Sequence, residues 1–233
     1  MKLDELFSVQ LDEGRYDPFI FKAIFICGAP GSGKTTIENK MNFQSLGLKN
    51  LNLDRIIHYL KKNQRPSNNR AEKMAETSFG IYLNEKLGVV IETTGRKEAD
   101  IIKMNNLLLK QNYQTMMLFI SAEKEVARMN IEQRPQNSKN PHDIGRIVDP
   151  DYFEEAYAAT QKNMEFYEHL FGDDFVLIKN VDGVLESTSF EVARKKVNSF
   201  LHAPLTSDAA VYVKGVKHPS LPVIGRAISR PTS

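Results

Sequence analysis

Residues 28–35 read Gly-Ala-Pro-Gly-Ser-Gly-Lys-Thr, a complete G-x-x-x-x-G-K-[ST] pattern. The pattern constrains the fold because it functions only at a junction, with an apolar strand ending before it and a helix beginning at its last glycine. Both halves are written here: residues 23–27 are uniformly apolar, and the chain from Lys34 onward has helical composition. Glycine at these positions lets the main chain wrap closely around a phosphate, where side chains would collide. The exposed N–H groups and the positive end of the helix dipole then hold that phosphate. Gly28, Ala29, Pro30, Gly31, Ser32, Gly33, Lys34, Thr35 and Thr36 are therefore expected to bind ATP or GTP. Lys34 reaches the β- and γ-phosphates, and the Thr35 hydroxyl is the expected ligand for Mg²⁺.

The remainder alternates apolar runs with amphipathic segments, which predicts a parallel sheet flanked by helices. Strands are expected at 21–27, 48–53, 88–92, 114–120 and 175–179. Helices are expected at 34–43, 55–63, 70–86, 97–111, 123–133, 152–171 and 190–201. The fold class is α/β: a three-layer P-loop NTPase or kinase fold, with a mostly parallel five-stranded sheet and helices on both faces. A length of 233 residues suits one such domain, placed at 1–202. Residues 133–149 are polar and contain Pro135 and Pro141, so they read as a long arginine-bearing lid loop. Residues 203–233 contain four prolines and a single acidic residue, Asp208, and are expected to lie outside the compact domain as a flexible or docking tail.

Bulk properties exclude several classes. A net charge of +2 gives no reason to favour a nucleic acid or a membrane surface as partner. The single cysteine, Cys27, rules out an intrachain disulfide, fits a cytoplasmic protein, and reads as a buried strand residue. No apolar run approaches the ~18 residues that cross a bilayer. The five histidines show no metal-ligand spacing with one another or with Cys27. Met116 and Met117 read as core, as do Phe166, Tyr167 and Leu170.

A bound triphosphate serves motion, switching or phosphoryl transfer, so other residues must decide. Asp54 ends the second expected strand in LNLDRI, and functional groups of parallel sheets gather at strand carboxyl ends. There it is placed to take a proton from an attacking hydroxyl, or else simply to cap the next helix. Glu92 ends the third expected strand in VVIETTGR, as a carboxylate that organises metal or water, or as a structural partner for Arg96. Arg134 and Arg146 in the lid are candidates to neutralise charge developing on the γ-phosphate. Asn180 and Asp182 follow the last expected strand, as contacts to a nucleotide base or as a turn.

Together GAPGSGKT, LNLD and VVIETTGR, followed by an arginine-bearing loop before a long helix, resemble the zeta-toxin-like kinases over residues 20–183. The most distinctive element, IETTGR at 91–96, is similar to that family's I-E-G-T-G-R segment, with Thr93 in place of the first glycine. Glu76 also lies sixteen residues before Glu92, matching the family's spacing of its two glutamates. The resemblance implies phosphorylation of a hydroxyl of UDP-N-acetylglucosamine or a related UDP-sugar, using ATP or GTP and Mg²⁺. It implies Asp54 as general base, Glu76 as a substrate ligand, and Glu92, Thr94 and Arg96 lining the substrate site. Lys34 and Thr35 then hold nucleotide and metal, and Arg134 and Arg146 form the charge-neutralising pair. An antitoxin-like inhibitor protein is the partner such a kinase suggests. Other readings stay open: a polynucleotide or modified-base kinase, another small-metabolite kinase, or a nucleotide-binding interaction module without turnover.

Overall fold

The computed structural model describes residues 17–51, 68–137 and 148–215. Its centre is β1 (Lys22–Cys27), in which every residue is buried. After Lys22 the strand is apolar on both faces, as a strand covered on both sides requires, and it alternates its side chains between two separate cores. Ala23, Phe25 and Cys27 join one cluster, while Ile24 and Ile26 join the other.

The loop after β1 leads into α1 (Lys34–Met41), then β2 (Lys49–Leu51), α2 (Asn68–Asn84) and β3 (Val89–Thr93). There follow α3 (Glu98–Lys110), β4 (Gln114–Ala122), α4 (Lys124–Asn137), α5 (Pro150–Lys162) and α6 (Met164–Phe171). A 3₁₀ turn at Gly172–Asp174 enters β5 (Phe175–Val181), which is followed by β6 (Val184–Leu185), α7 (Ser187–His202) and α8 (Ser207–Gly215). Among the described residues the sheet has six strands in the order β2-β3-β1-β4-β5-β6. The first five are parallel, as expected, and β6 adds a two-residue antiparallel edge. Asp182 and Gly183 both have positive φ, the backbone that a tight two-residue hairpin requires.

Two cores make three layers. On one face Ile101 and Leu108 of α3 and Tyr167 and Phe171 of α6 pack on Phe25, Met117 and Phe119. On the other, Ile37 and Met41 of α1 and Ala193, Val197 and Phe200 of α7 pack on Ile24, Ile26 and Leu118. Met116 and Met117 therefore belong to opposite cores. No helix among the described residues is long and apolar enough to cross a membrane.

Three expectations need correction. The helix expected over 152–171 is two helices, broken at Asn163, whose side chain is turned inward on the sheet's carboxyl end. The loop expected from 133 begins later, because α4 continues to Asn137 through Pro135, forgoing one backbone hydrogen bond. Arg134 thus lies near the end of a helix, not in a loop. The boundary at 202 also shifts: Lys22 Nζ donates to the Ala203 carbonyl at 2.9 Å, Ala209 of α8 is fully buried, and Tyr212 meets the Phe21 ring edge-on. Residues 203–215 pack on the domain.

Candidate active site

The glycine loop sits where its pattern demands, between the end of β1 and the start of α1. Gly33 caps α1 with φ 104°, no side chain caps the helix, and no acidic residue lies in its first turn. The positive end of that helix is thus left open for an anion. Two glycines are fixed by close approach. A Cβ on Gly28 would stand 2.6 Å from the Ile120 carbonyl oxygen, and one on Gly31 would stand 2.0 Å from that of Ala127. The loop is therefore wedged between β4 and α4, which holds its curvature without any ligand.

Two asparagines brace it from outside. Asn130 of α4 donates Nδ2 to the Gly31 carbonyl at 2.9 Å, and Asn180 of β5 donates Nδ2 to the Ser32 carbonyl at 2.9 Å. Asn180 is 4% exposed, so it is a brace for the loop and not an open contact for a base. Asp182, its companion in that expectation, forms the β5–β6 turn. Lys34 folds over the loop, its Nζ 2.7 Å from the Gly28 carbonyl and 3.1 Å from that of Ala29. Residues 28–32 are buried, Gly33, Lys34 and Thr35 are half-buried, and Thr36 is exposed.

The third strand brings a second group to the same rim. Parallel pairing sets Ile26 beside Glu92 and Cys27 beside Thr93, so the segment 92–96 leaves the sheet next to the glycine loop. Glu92, Thr94 and Arg96 are half-buried. Gly95 has φ 68°, and a Cβ there would stand 2.2 Å from the Cys27 sulfur, so only glycine fits where the two segments touch. Gly95 N–H donates to Thr93 Oγ1 at 3.1 Å, which gives the departure at Thr93 a local bond within the turn. Arg96 pairs with Glu155 at 3.0 Å and lies over the Tyr152 ring, both on α5. With the Glu155 side chain 70% exposed, that pair is weak and open to exchange for a ligand. Burial pushes the Cys27 thiol up to about 12, which removes it from nucleophilic chemistry.

The other expected residues are described only in part. Glu76 lies on α2 and Arg134 on α4, while their side chains lie outside the described residues. Asp54 and Arg146, with the helix expected at 55–63, also lie outside them. Four residues before Asp54 in sequence, Asn50 on β2 donates to the buried Glu38 of α1, which ties the strand to the helix that follows the glycine loop. Asn50, Glu38, Asn130 and Asn163 escaped the sequence reading because none belongs to a motif. Their only signal was amide or carboxylate side chains within otherwise amphipathic elements.

A glycine loop at the rim of a five-stranded parallel sheet, between helical layers, with acidic and basic groups on the neighbouring strand end, defines a P-loop kinase. A model of the zeta toxin family matches residues 21–190. The chain belongs to that family. Solved structures share its fold at low identity. The AvrRxo1-ORF1:-ORF2 crystal structure with ATP is 14% identical, with 88% of this chain and 74% of that chain covered and a TM-score of 0.58. A putative kinase from Chloroflexus aurantiacus is 16% identical, covering 77% and 97%, with a TM-score of 0.56. A structure from the PezAT chromosomal toxin-antitoxin system of Streptococcus pneumoniae is 18% identical, covering 88% and 89%, with a TM-score of 0.53. At these identities the likeness is one of fold. No curated protein matches the chain.

Proposed function

We propose that this protein transfers the γ-phosphate of ATP or GTP, with Mg²⁺, to a hydroxyl of a UDP-sugar such as UDP-N-acetylglucosamine. The observation that carries the reading is the β1–β3 register, which sets the acidic and basic strip 92–96 directly beside the glycine loop. One segment grips a triphosphate, and the other offers Glu92, Thr94 and Arg96 to an acceptor.

The residues present fit a metal-bound triphosphate. The start of α1 is uncapped, and the loop is held open by Asn130 and Asn180. Thr35 is the residue that would hold Mg²⁺, whose charge when bound neutralises the β- and γ-phosphate oxygens. Lys34 exchanges its loop carbonyls for phosphate oxygens. Asp54 takes the proton of the attacking hydroxyl, Glu76 orients the acceptor, and Arg134 and Arg146 neutralise the charge that develops in transfer. An antitoxin-like protein is the proposed partner, a reading supported by family membership and by a fold neighbour from the PezAT toxin-antitoxin system.

The test is incubation with γ-labelled ATP and Mg²⁺ against UDP-sugars, short oligonucleotides and polyols. Label is expected on the UDP-sugars; label on oligonucleotides only would overturn the acceptor class.

A further inference from the structure

The break between α5 and α6 places three side chains on one inward face. Thr160 donates Oγ1 to the Thr94 carbonyl at 2.8 Å, sharing its proton with Ala156 in its own helix. Asn163 donates Nδ2 to the carbonyls of Gly95 and Arg96, both at 3.1 Å, and its two amide protons allow both bonds at once. Tyr167 donates Oη to the Gly95 carbonyl at 2.6 Å. Three successive carbonyls are thus held by donors that are at most 5% exposed. Burial raises the Tyr167 phenol far above its ordinary value, so its proton stays available to donate.

We infer that Thr160, Asn163 and Tyr167 are positioning residues that set the strip 94–96 for the acceptor, independently of the nucleotide loop. This rests on the proposed reading that Thr94 and Arg96 meet the acceptor. The bonds use main-chain carbonyls and leave the side chains of Thr94 and Arg96 to a ligand. A segment fixed at three consecutive peptides has little freedom left to lose when a ligand engages it, which is how preorganisation raises affinity. Among the described residues the Arg96 side chain itself meets Tyr152 and the exposed Glu155 of α5, a contact that a ligand can displace. The glycine loop has its own braces on α4 and β5, so the two halves of the site are supported by different elements.

The test compares Thr160→Val and Tyr167→Phe, which keep shape and remove only the donor, with Thr160→Ser, which keeps the donor. Each is assayed for label transfer to UDP-N-acetylglucosamine and for binding of a fluorescent ATP analogue, with melting temperature as a fold control. The acceptor KM is expected to rise about tenfold in Thr160→Val and Tyr167→Phe, with kcat and nucleotide Kd within about twofold of wild type. Thr160→Ser is expected to retain the wild-type KM. Wild-type activity with an unchanged KM in Thr160→Val and Tyr167→Phe, or with KM and nucleotide Kd rising together, overturns the inference alone. A wild-type protein that labels no UDP-sugar overturns the acceptor reading first, and the positioning role with it.

Discussion

Gly31→Ala tests whether the glycine loop is held in shape by what surrounds it. Gly31 has φ 80°, and an L-residue in that left-handed region costs roughly 1–2 kcal/mol. The new Cβ would stand 2.0 Å from the Ala127 carbonyl oxygen, 2.8 Å from its carbon and 3.1 Å from its Cα. All three are main-chain atoms of α4, which cannot swing aside as a side chain can. Overpacking of this kind costs about 1–3 kcal/mol. The free protein escapes most of the strain by moving the loop away from α4, breaking the Asn130–Gly31 bond. Binding a triphosphate requires the original curvature, so the strain is restored at that step. A penalty of roughly 2–5 kcal/mol corresponds to a loss of affinity of about 30-fold to several thousand-fold. Titration with a fluorescent ATP analogue, on protein shown to be folded by circular dichroism, reads it directly. A Gly31→Ala protein that binds nucleotide within about threefold of wild type would refute the wedge.

Lys34→Ala is expected to weaken both nucleotide affinity and turnover, because the amine that now bonds the Gly28 and Ala29 carbonyls is the one offered to phosphate; parallel binding and rate measurements check this. Gly80→Ala is the opposite control, since Gly80 lies within α2 with nothing within 4 Å of a built Cβ. It should raise stability by about 0.5–1 kcal/mol, read as a melting temperature higher by roughly 1–4 °C. Lys22 is buried, and burial lowers its amine to about 8, so the folded state sheds a proton that the unfolded state keeps up to about 10.5. Stability should therefore rise as pH climbs from 8, by about 1.5 kcal/mol to pH 9.5, before the tyrosines interfere. Urea melts of wild type and Lys22→Met across that window check it, the variant losing this rise.

The parts of the fold legible in the sequence are those with local causes. The strand–glycine–helix junction at 27–34 is specified by neighbouring residues, and the buried parallel strands announce themselves as apolar runs such as MMLFI at 116–120. Asn163 is illegible because the helical spacing of 152–171 runs through it without interruption; at the break its side chain bonds the Gly95 and Arg96 carbonyls, 68 and 67 positions away in sequence. Asn180 shows the same limit, since a polar residue at a strand end reads as a base contact or as a turn, and only Ser32 placed beside it makes it a brace. The boundary at 202 was read from proline and charge, whereas α8 docks through Ala209, whose small side chain gives no signal of burial. Within the site, the glycine loop and IETTGR were readable as motifs. The residues that hold them were not, because amide-to-carbonyl bonds impose no repeating pattern.

Asp54→Asn tests the central claim most directly, with phosphoryl transfer and nucleotide binding measured on the same preparation. A general base contributes about 10²–10⁴ to rate, so transfer to the acceptor should fall by at least 10²-fold while nucleotide Kd stays within about twofold. Transfer persisting within tenfold of wild type would contradict the account.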